Sequence, residues 1–401
     1  MGVLNGKKVV LGVTGGISAY KSAEIVRILR AEGADVTVVM TRAACQFVAP
    51  LTFSTLSGNP VITEMFSNGL DPEIKHIRIP ENAEAMLIAP ATANFLAKAA
   101  TGMADDSLTT MLLVARCPII VSPAMNSNMY SHPVVQENIR KLKERGVIVI
   151  EPDTGELACG YSGPGRLPNP DDIVEMVRIT LSGKDMEGEH VLVTAGPTRE
   201  AIDPVRFVSN RSSGKMGFAL AKSAVRRGAN VVLISGPTVL KPPVGVKFIP
   251  VETAEEMMKE ADRNFPKATV LLMSAAVADY KPKKVQPTKI KKSKDKLVVE
   301  MDACPDILKT LSTKKRKNHL IIGFAAETDN LLKNAKEKLE RKNLDLIVAN
   351  QVGTSDSGFE HETNRIKIID RDGNVKDFPL MTKEEAADRI LDEVMALRYK
   401  K

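Results

Sequence analysis

A chain of 401 residues exceeds one ordinary hydrophobic core, so about two domains are expected. Its 43% hydrophobic and 26% charged residues are those of a soluble globular protein, and no run approaches the ~20 apolar residues of a membrane helix. The net charge of +7 comes with only 4% aromatic residues and no Trp, which disfavours nucleic acid and favours small phosphorylated ligands, although a basic surface that only aids solubility accounts for the charge equally well.

In chain order, the first half alternates short apolar runs with amphipathic stretches. Strands are predicted at 9–13, 36–40, 85–89, 119–122 and 147–150. Helices are predicted at 18–32, 94–100 and 134–145, the first stopped by Gly33. The polar stretch 181–189 reads as a boundary. It divides the chain into a domain over 1–183, a linker over 184–189 and a domain over 190–401. The second half repeats the pattern. Strands are predicted at 191–194, 231–234, 270–274, 321–325 and 346–349, with helices at 215–227, 254–264, 330–341 and 383–397. Continuous apolar strands separated by helices imply parallel sheets covered on both faces. The expected fold is therefore α/β, with two Rossmann-like domains. The stretch 281–296 holds eight lysines and reads as a solvated basic loop or as a lid over a polyphosphate.

The four cysteines, Cys45, Cys117, Cys159 and Cys304, are far apart and form no CxxC pair. Neither a disulfide framework nor a zinc site is expected. The first eight residues lack a signal-peptide layout, so a cytoplasmic protein is expected.

Two strands run into glycine-rich turns. The first turn is Thr14-Gly15-Gly16-Ile17-Ser18. The second is Gly196-Pro197-Thr198, with Ser212-Ser213-Gly214-Lys215-Met216-Gly217 soon after. A strand, a small-residue turn and a helix make a phosphate pocket, because free backbone N–H groups and the helix dipole face the anion. Neither turn is G-x-G-x-x-G, which disfavours a nicotinamide dehydrogenase. In the second, Met216 replaces the magnesium-binding Ser or Thr and Ser209 replaces the leading glycine, so a Walker A loop is excluded. Other candidates follow strands or lie in loops. Thr92 and Asn94 can cap a helix or bind a polar ligand. Asn126 can hold a carboxylate or form an Asx turn. His76, in an alternating Lys75–Ile79 run, is a base or a structural histidine. Cys159, in a glycine-bounded loop, is a working thiol or a buried hydrophobe.

Taken in order, these motifs resemble the bifunctional phosphopantothenoylcysteine decarboxylase / phosphopantothenate–cysteine ligases of coenzyme A biosynthesis, over nearly the whole chain. The first half is similar to flavodoxin-like, flavin-binding cysteine decarboxylases. The likeness rests on Gly15-Gly16-Ile17-Ser18-Ala19-Tyr20-Lys21, His76, Ala89-Pro90-Ala91-Thr92-Ala93-Asn94, Pro123-x-Met125-Asn126-x-x-Met129 and Leu157-Ala158-Cys159-Gly160. Tyr130 stands where the family often has Trp. The second half resembles the ligase in Gly196–Arg206, Asn210–Gly217, Ala275-Ala276-Val277-Ala278-Asp279-Tyr280, Lys289-Ile290-Lys291-Lys292, Gly323–Thr328 and Lys342-Asn343-Leu344-Asp345.

The resemblance implies two consecutive steps. The ligase joins 4′-phosphopantothenate to cysteine, using CTP and Mg²⁺ through an acyl-cytidylate. The decarboxylase then uses FMN to reach 4′-phosphopantetheine. It implies Thr14, Gly15, Gly16 and Ser18 around the flavin phosphate, with Thr41 and Ser107 as further flavin contacts. His76 would be the base at the substrate thiol, Asn126 would hold the carboxylate, and Cys159 would protonate the ene-thiolate. Lys289 would meet the triphosphate and Asp279 the nucleotide. Ala275, Pro305, Asp306, Ile307, Leu308, Phe324, Lys338 and Lys342 would complete that pocket, and Asn210 would handle the acyl-cytidylate. No metal ligands are assigned. Trimeric flavin domains and dimeric ligase domains are implied. A prenyl-flavin-forming enzyme shares the Gly-Gly-Ile-Ser turn, but the Cys159 segment and the second half argue against it. An inactive regulatory module is disfavoured because His76, Asn126 and Cys159 are all present.

Overall fold

The computed structural model describes residues 2–65, 75–156, 160, 162–292, 297–327, 331–351 and 361–400. Two compact units emerge, Met1–Ser182 and Gly183–Lys401.

The first unit holds strands β1 (Lys8–Val13), β2 (Asp35–Met40), β3 (Ala85–Ala91), β4 (Ile119–Pro123) and β5 (Ile148–Val149) in one parallel sheet of order β2-β1-β3-β4-β5. Successive residues of each strand point to opposite faces, so each apolar run feeds two cores. Val9, Leu11, Val13, Leu87 and Ala89 pack with Ile25, Leu29, Ile173 and Val177 from helices Lys21–Ala31 and Pro170–Leu181. Val10, Met86 and Ile88 pack the other way, onto Phe95, Leu108, Met111 and Ile139. Burial on both faces explains the unbroken apolar strands. A short antiparallel hairpin, β6 (Asp153–Glu156) and β7 (Ser162–Arg166), follows.

Two local features depart from the sequence pattern. His76 lies on a helix, Lys75–Asn82, because a five-residue alternation cannot separate a strand from a helix. Ser107–Val114 carries the β-branched Thr109, Thr110 and Val114, yet is helical. Its start is set by a capping box, in which Asp106 accepts the Thr109 N–H at 2.8 Å and Thr109 Oγ1 accepts the Asp106 N–H at 3.3 Å.

The second unit contains β8 (His190–Ala195), β9 (Arg199–Ala201), β10 (Phe207–Ser209), β11 (Asn230–Ser235), β12 (Lys247–Pro250), β13 (Val270–Met273), β14 (Tyr280–Pro282), β15 (Met301–Ala303), β16 (Leu320–Glu327), β17 (Leu346–Gln351), β18 (Thr363–Asn364), β19 (Ile366–Asp370), β20 (Val375–Asp377) and β21 (Met381–Thr382). Its main sheet runs β12-β11-β8-β13-β16-β17-β19-β20, with the first six strands parallel and the last two antiparallel. Leu192, Leu271, Ile321 and Ile347 form one core with Met257, Phe265, Leu311 and Leu339. Helices Lys215–Arg226 and Lys383–Lys400 are joined by the Arg227–Asp392 ion pair at 2.9 Å. Three small ribbons, β9–β10, β14–β15 and β18–β21, stand outside the main sheet. The α/β expectation, with mostly parallel sheets in both units, holds.

Candidate functional site

In the first sheet the strand order reverses between β1 and β3. Ligands of open α/β sheets bind at the carboxyl ends of strands at such a point. Thr14, directly after β1, bridges it. Its buried hydroxyl donates to the Pro90 carbonyl at 2.8 Å and accepts the Thr92 N–H at 3.0 Å. Gly15 follows where no side chain fits, since a Cβ there would lie 2.4 Å from the Ala43 Cβ. At Gly16 a Cβ would meet only Thr92 Cγ2, at 3.7 Å, so that position faces open space.

The open space is a cavity of about 1250 Å³. It exceeds the ~300–1,000 Å³ typical of one small ligand, leaving room for a cofactor and a substrate together. Thr14, Gly15, Gly16, Ser18, Thr41 and Asn126 all line it, so six of the expected residues converge. Asn126 also accepts the Asn128 N–H at 2.9 Å, so the Asx cap and the cavity position coexist. Thr92 caps its helix at 3.4 Å. Lys21, Arg42, Lys98 and Arg166 add positive charge to the lining. Burial and then the Arg166 charge push the Lys21 ammonium below its ordinary range. Lys21 was visible in the first motif, whereas Arg166 reaches the cavity only through the β6–β7 hairpin.

Three expected residues stand differently. His76 is not among the cavity-lining residues described. Cys159 lies outside the described residues, as do Leu157, Ala158 and Tyr161, while Glu156 and Gly160 line the cavity. Ser107 is 3% exposed beside the lining residue Asp106, and its hydroxyl has no hydrogen-bond partner among the described residues. Such an orphan costs about 1–3 kcal/mol until something bonds it. Tyr130 reaches the Glu151 carboxylate, and burial together with that contact pushes its phenol up to about 12.

The second sheet reverses order between β8 and β13, and threonines bridge there too. Thr194 Oγ1 accepts the Ala275 N–H at 3.3 Å, and Thr198 Oγ1 accepts the Ala278 N–H at 2.9 Å. Asn210 Nδ2 donates to the Val277 carbonyl at 2.8 Å. The Asp279 carbonyl accepts the Cys304 N–H at 2.8 Å, which ties the Pro305–Leu308 segment to the same loop. Asp306 caps helix Ile307–Thr313 through the Lys309 N–H at 2.9 Å and ion-pairs with Lys342. Burial pushes the Asp306 carboxyl up, but Lys342 and the Lys309 N–H outweigh it and hold it low. Lys338 Nζ donates to the Phe324 carbonyl at 2.7 Å. Ala275, Asp279, Asn210 and Pro305–Leu308 thus form one tethered group, with Lys342 paired to it. Lys289 is exposed on the basic stretch, whose Ile290 binds Asp203 on the β9–β10 ribbon.

The second glycine turn needs its glycine, since Gly214 has φ +79° and starts helix Lys215–Arg226. Thr194, Thr198 and Asp203 escaped the sequence reading. Thr198 and Asp203 both lie in the Gly196–Arg206 motif, but nothing in a motif says which N–H a hydroxyl or carboxylate accepts.

Both units match families of known proteins. Residues 2–182 match the Flavoprotein family, and residues 186–397 match the DNA/pantothenate metabolism flavoprotein C-terminal domain family. The Coenzyme A biosynthesis bifunctional protein CoaBC of Bacillus subtilis (strain 168) is 46% identical over 399 residues, covering 98% of both chains. The protein of that name from Escherichia coli (strain K12) is 44% identical over 400 residues, covering 99% of this chain and 98% of its own. This chain belongs to the bifunctional coenzyme A biosynthesis proteins. As a member of the CoaBC family it is a bifunctional enzyme, with a ligase step and a decarboxylase step. A crystal structure of the C-terminal domain of a CoaBC protein aligns at 42% identity and a TM-score of 0.48, covering 55% of this chain and 100% of that one.

Proposed function

We propose that the second unit joins cysteine to 4′-phosphopantothenate with CTP, through an acyl-cytidylate, and that the first unit decarboxylates the product with FMN to 4′-phosphopantetheine. The observation that carries the reading is the convergence of the Thr14–Ser18 turn, Thr41 and Asn126 on one large cavity at the β1/β3 reversal. The unpartnered Ser107 hydroxyl and the open face at Gly16 fit a flavin there. FMN, when bound, supplies an electron sink that takes a hydride from the thiol end of the substrate and later returns it. The chain does the rest. Asn126 holds the substrate carboxylate, His76 takes the thiol proton and Cys159 returns a proton at carbon.

In the ligase, the carboxylate of 4′-phosphopantothenate attacks the α-phosphate of CTP and pyrophosphate leaves. The amine of cysteine then displaces CMP. Lys289 neutralises the triphosphate, Asp279 and Ala275 bind the nucleotide with the Pro305–Leu308 segment, Phe324, Lys338 and Lys342, and Asn210 orients the acyl-cytidylate. Among the described residues no three His, Cys, Asp or Glu side chains cluster to hold a metal. Mg²⁺ therefore fits as an ion carried by the triphosphate.

A homo-oligomer, with trimeric flavin units and dimeric ligase units, fits the exposed Ile17 and Tyr20 on the cavity lining, from which His76 is missing among the described residues. A cytoplasmic site of action suits free thiols at Cys45, Cys117 and Cys304, and no helix among the described residues is long and apolar enough to cross a membrane.

The test is incubation with 4′-phosphopantothenate, cysteine and either CTP or ATP, followed by mass analysis. The expected product is 4′-phosphopantetheine, made faster with CTP. A colourless protein that ignores added FMN would sink the first half of the proposal, and absence of pyrophosphate would sink the second.

A further inference from the structure

The turn between β9 and β10 is built around a carboxylate with more donors than a turn requires. Asp203 is 2% exposed. Its Oδ1 accepts the N–H groups of Val205 at 2.7 Å and Arg206 at 2.8 Å, which completes an Asx-type turn. Its Oδ2 is surplus to that turn. It accepts the Arg206 guanidinium at 2.6 Å and, from 87 residues away, the Ile290 N–H at 3.1 Å. The same guanidinium nitrogen of Arg206 donates to the Ile290 carbonyl at 3.1 Å. Both polar groups of Ile290 are thus held by one ion pair. A further bond, from the Gln286 N–H to the Ile202 carbonyl at 2.9 Å, runs between the same two segments. Burial pushes the Asp203 carboxyl up, but the N–H groups of Val205, Ile290 and Arg206 and the Arg206 guanidinium hold it at about 2, so it is ionised at neutral pH.

Ile290 directly follows Lys289, in a lysine-rich stretch over 281–296. Ordering a residue of such a stretch costs backbone entropy each time a ligand binds, unless the fold orders it beforehand. We infer that Asp203, with Arg206, is the positioning residue that fixes the Ile290 peptide and so presents Lys289 to the triphosphate. The inference rests on the triphosphate role of Lys289 proposed above. Asp203 touches no reacting atom. It acts through the lysine, by arranging it in advance of binding.

Asp203→Asn tests this in the full chain. The amide oxygen still serves the turn, while the new NH₂ group faces the Ile290 N–H and the Arg206 guanidinium, donor against donor. The Ile290 amide should exchange hydrogen about tenfold faster or more; unchanged exchange overturns the clamp. Pyrophosphate release should fall about tenfold in the Lys289 background and not at all in a Lys289→Ala background. An equal loss in both backgrounds overturns the link to Lys289. Wild-type pyrophosphate release by Lys289→Ala alone would instead remove the reading on which the inference rests, and the exchange result would still stand. If Asp203→Asn fails to fold, Arg206→Lys, whose single ammonium cannot reproduce the guanidinium fork, must show the same background-dependent loss.

Discussion

Asn210 donates its side-chain amide to the Val277 carbonyl across 2.8 Å, so the residue assigned to the acyl intermediate is fastened to the loop that ends in Asp279. The bond requires a donor. We predict that Asn210→Asp sets a carboxylate against that carbonyl and stalls after activation. Rapid-quench mass analysis should show the acyl-cytidylate accumulating, with amide formation slowed about tenfold or more. Full-rate amide formation by this variant would remove Asn210 from the mechanism.

Thr198 offers a milder probe of the same loop. Thr198→Val keeps the shape but leaves the buried Ala278 N–H without its acceptor, at a cost of about 1–3 kcal/mol. We predict a lower urea midpoint for the ligase unit and a raised KM for CTP, both restored by Thr198→Ser. A KM unchanged in Thr198→Val would confine Thr198 to stability.

In the first unit the sharpest steric constraint is at Gly15. Gly15→Ala places a Cβ 2.4 Å from that of Ala43, and the turn must shift. We predict at least a tenfold loss of FMN affinity, about 1.4 kcal/mol, read by flavin fluorescence titration. Pyrophosphate release by the other unit should be unaffected. FMN binding at wild-type strength would contradict the assignment of this turn to the flavin.

For Cys159 the expected outcome is a trapped product. Cys159→Ser should still release CO₂ but accumulate the oxidised ene-thiol, two mass units below 4′-phosphopantetheine, for want of the proton donor. Normal 4′-phosphopantetheine from this variant would mean that another group donates the proton.

Lys383 carries a pH signature. It is 6% exposed, and burial and then the Lys215 charge depress its ammonium to about 8, against a partial upward pull from Glu362. A depressed folded pKa contributes stability above the unfolded value, near 10.5, and that contribution is lost as pH falls through about 8. We predict that wild-type stability gains on Lys383→Met between pH 8 and 10.5, by at most about 3 kcal/mol, in urea titrations. Parallel curves for the two proteins would refute this.

Both sheets are legible in the amino-acid sequence because strands buried on two faces are unbroken apolar runs, as in 9–13 and 270–273. Short ribbons are not. β9, β10, β14 and β15 have three residues each, too few to show a period. The glycine turn and Asn126 were legible as motifs after strand ends, and their convergence follows from the strand order. What stayed hidden is pairing over long separations. Nothing local marks Asp203 as the acceptor for Ile290, or Thr198 for Ala278, since Asp and Thr are ordinary residues of turns. His76 was visible as a residue, but which side chains line the cavity is a property of the folded chain.

Thr14 and Thr194 hold equivalent stations: each lies at the carboxyl end of the first strand of its sheet and hydrogen-bonds across the gap where strand order reverses. A parallel sheet that parts its loops to admit a ligand leaves main-chain groups at the parting without ladder partners. A single hydroxyl, able both to give and to receive, rivets the two lips of the opening without closing it. Each unit therefore carries its own rivet, and a library screened only for thermal tolerance would find both openings through these threonines before any ligand was added.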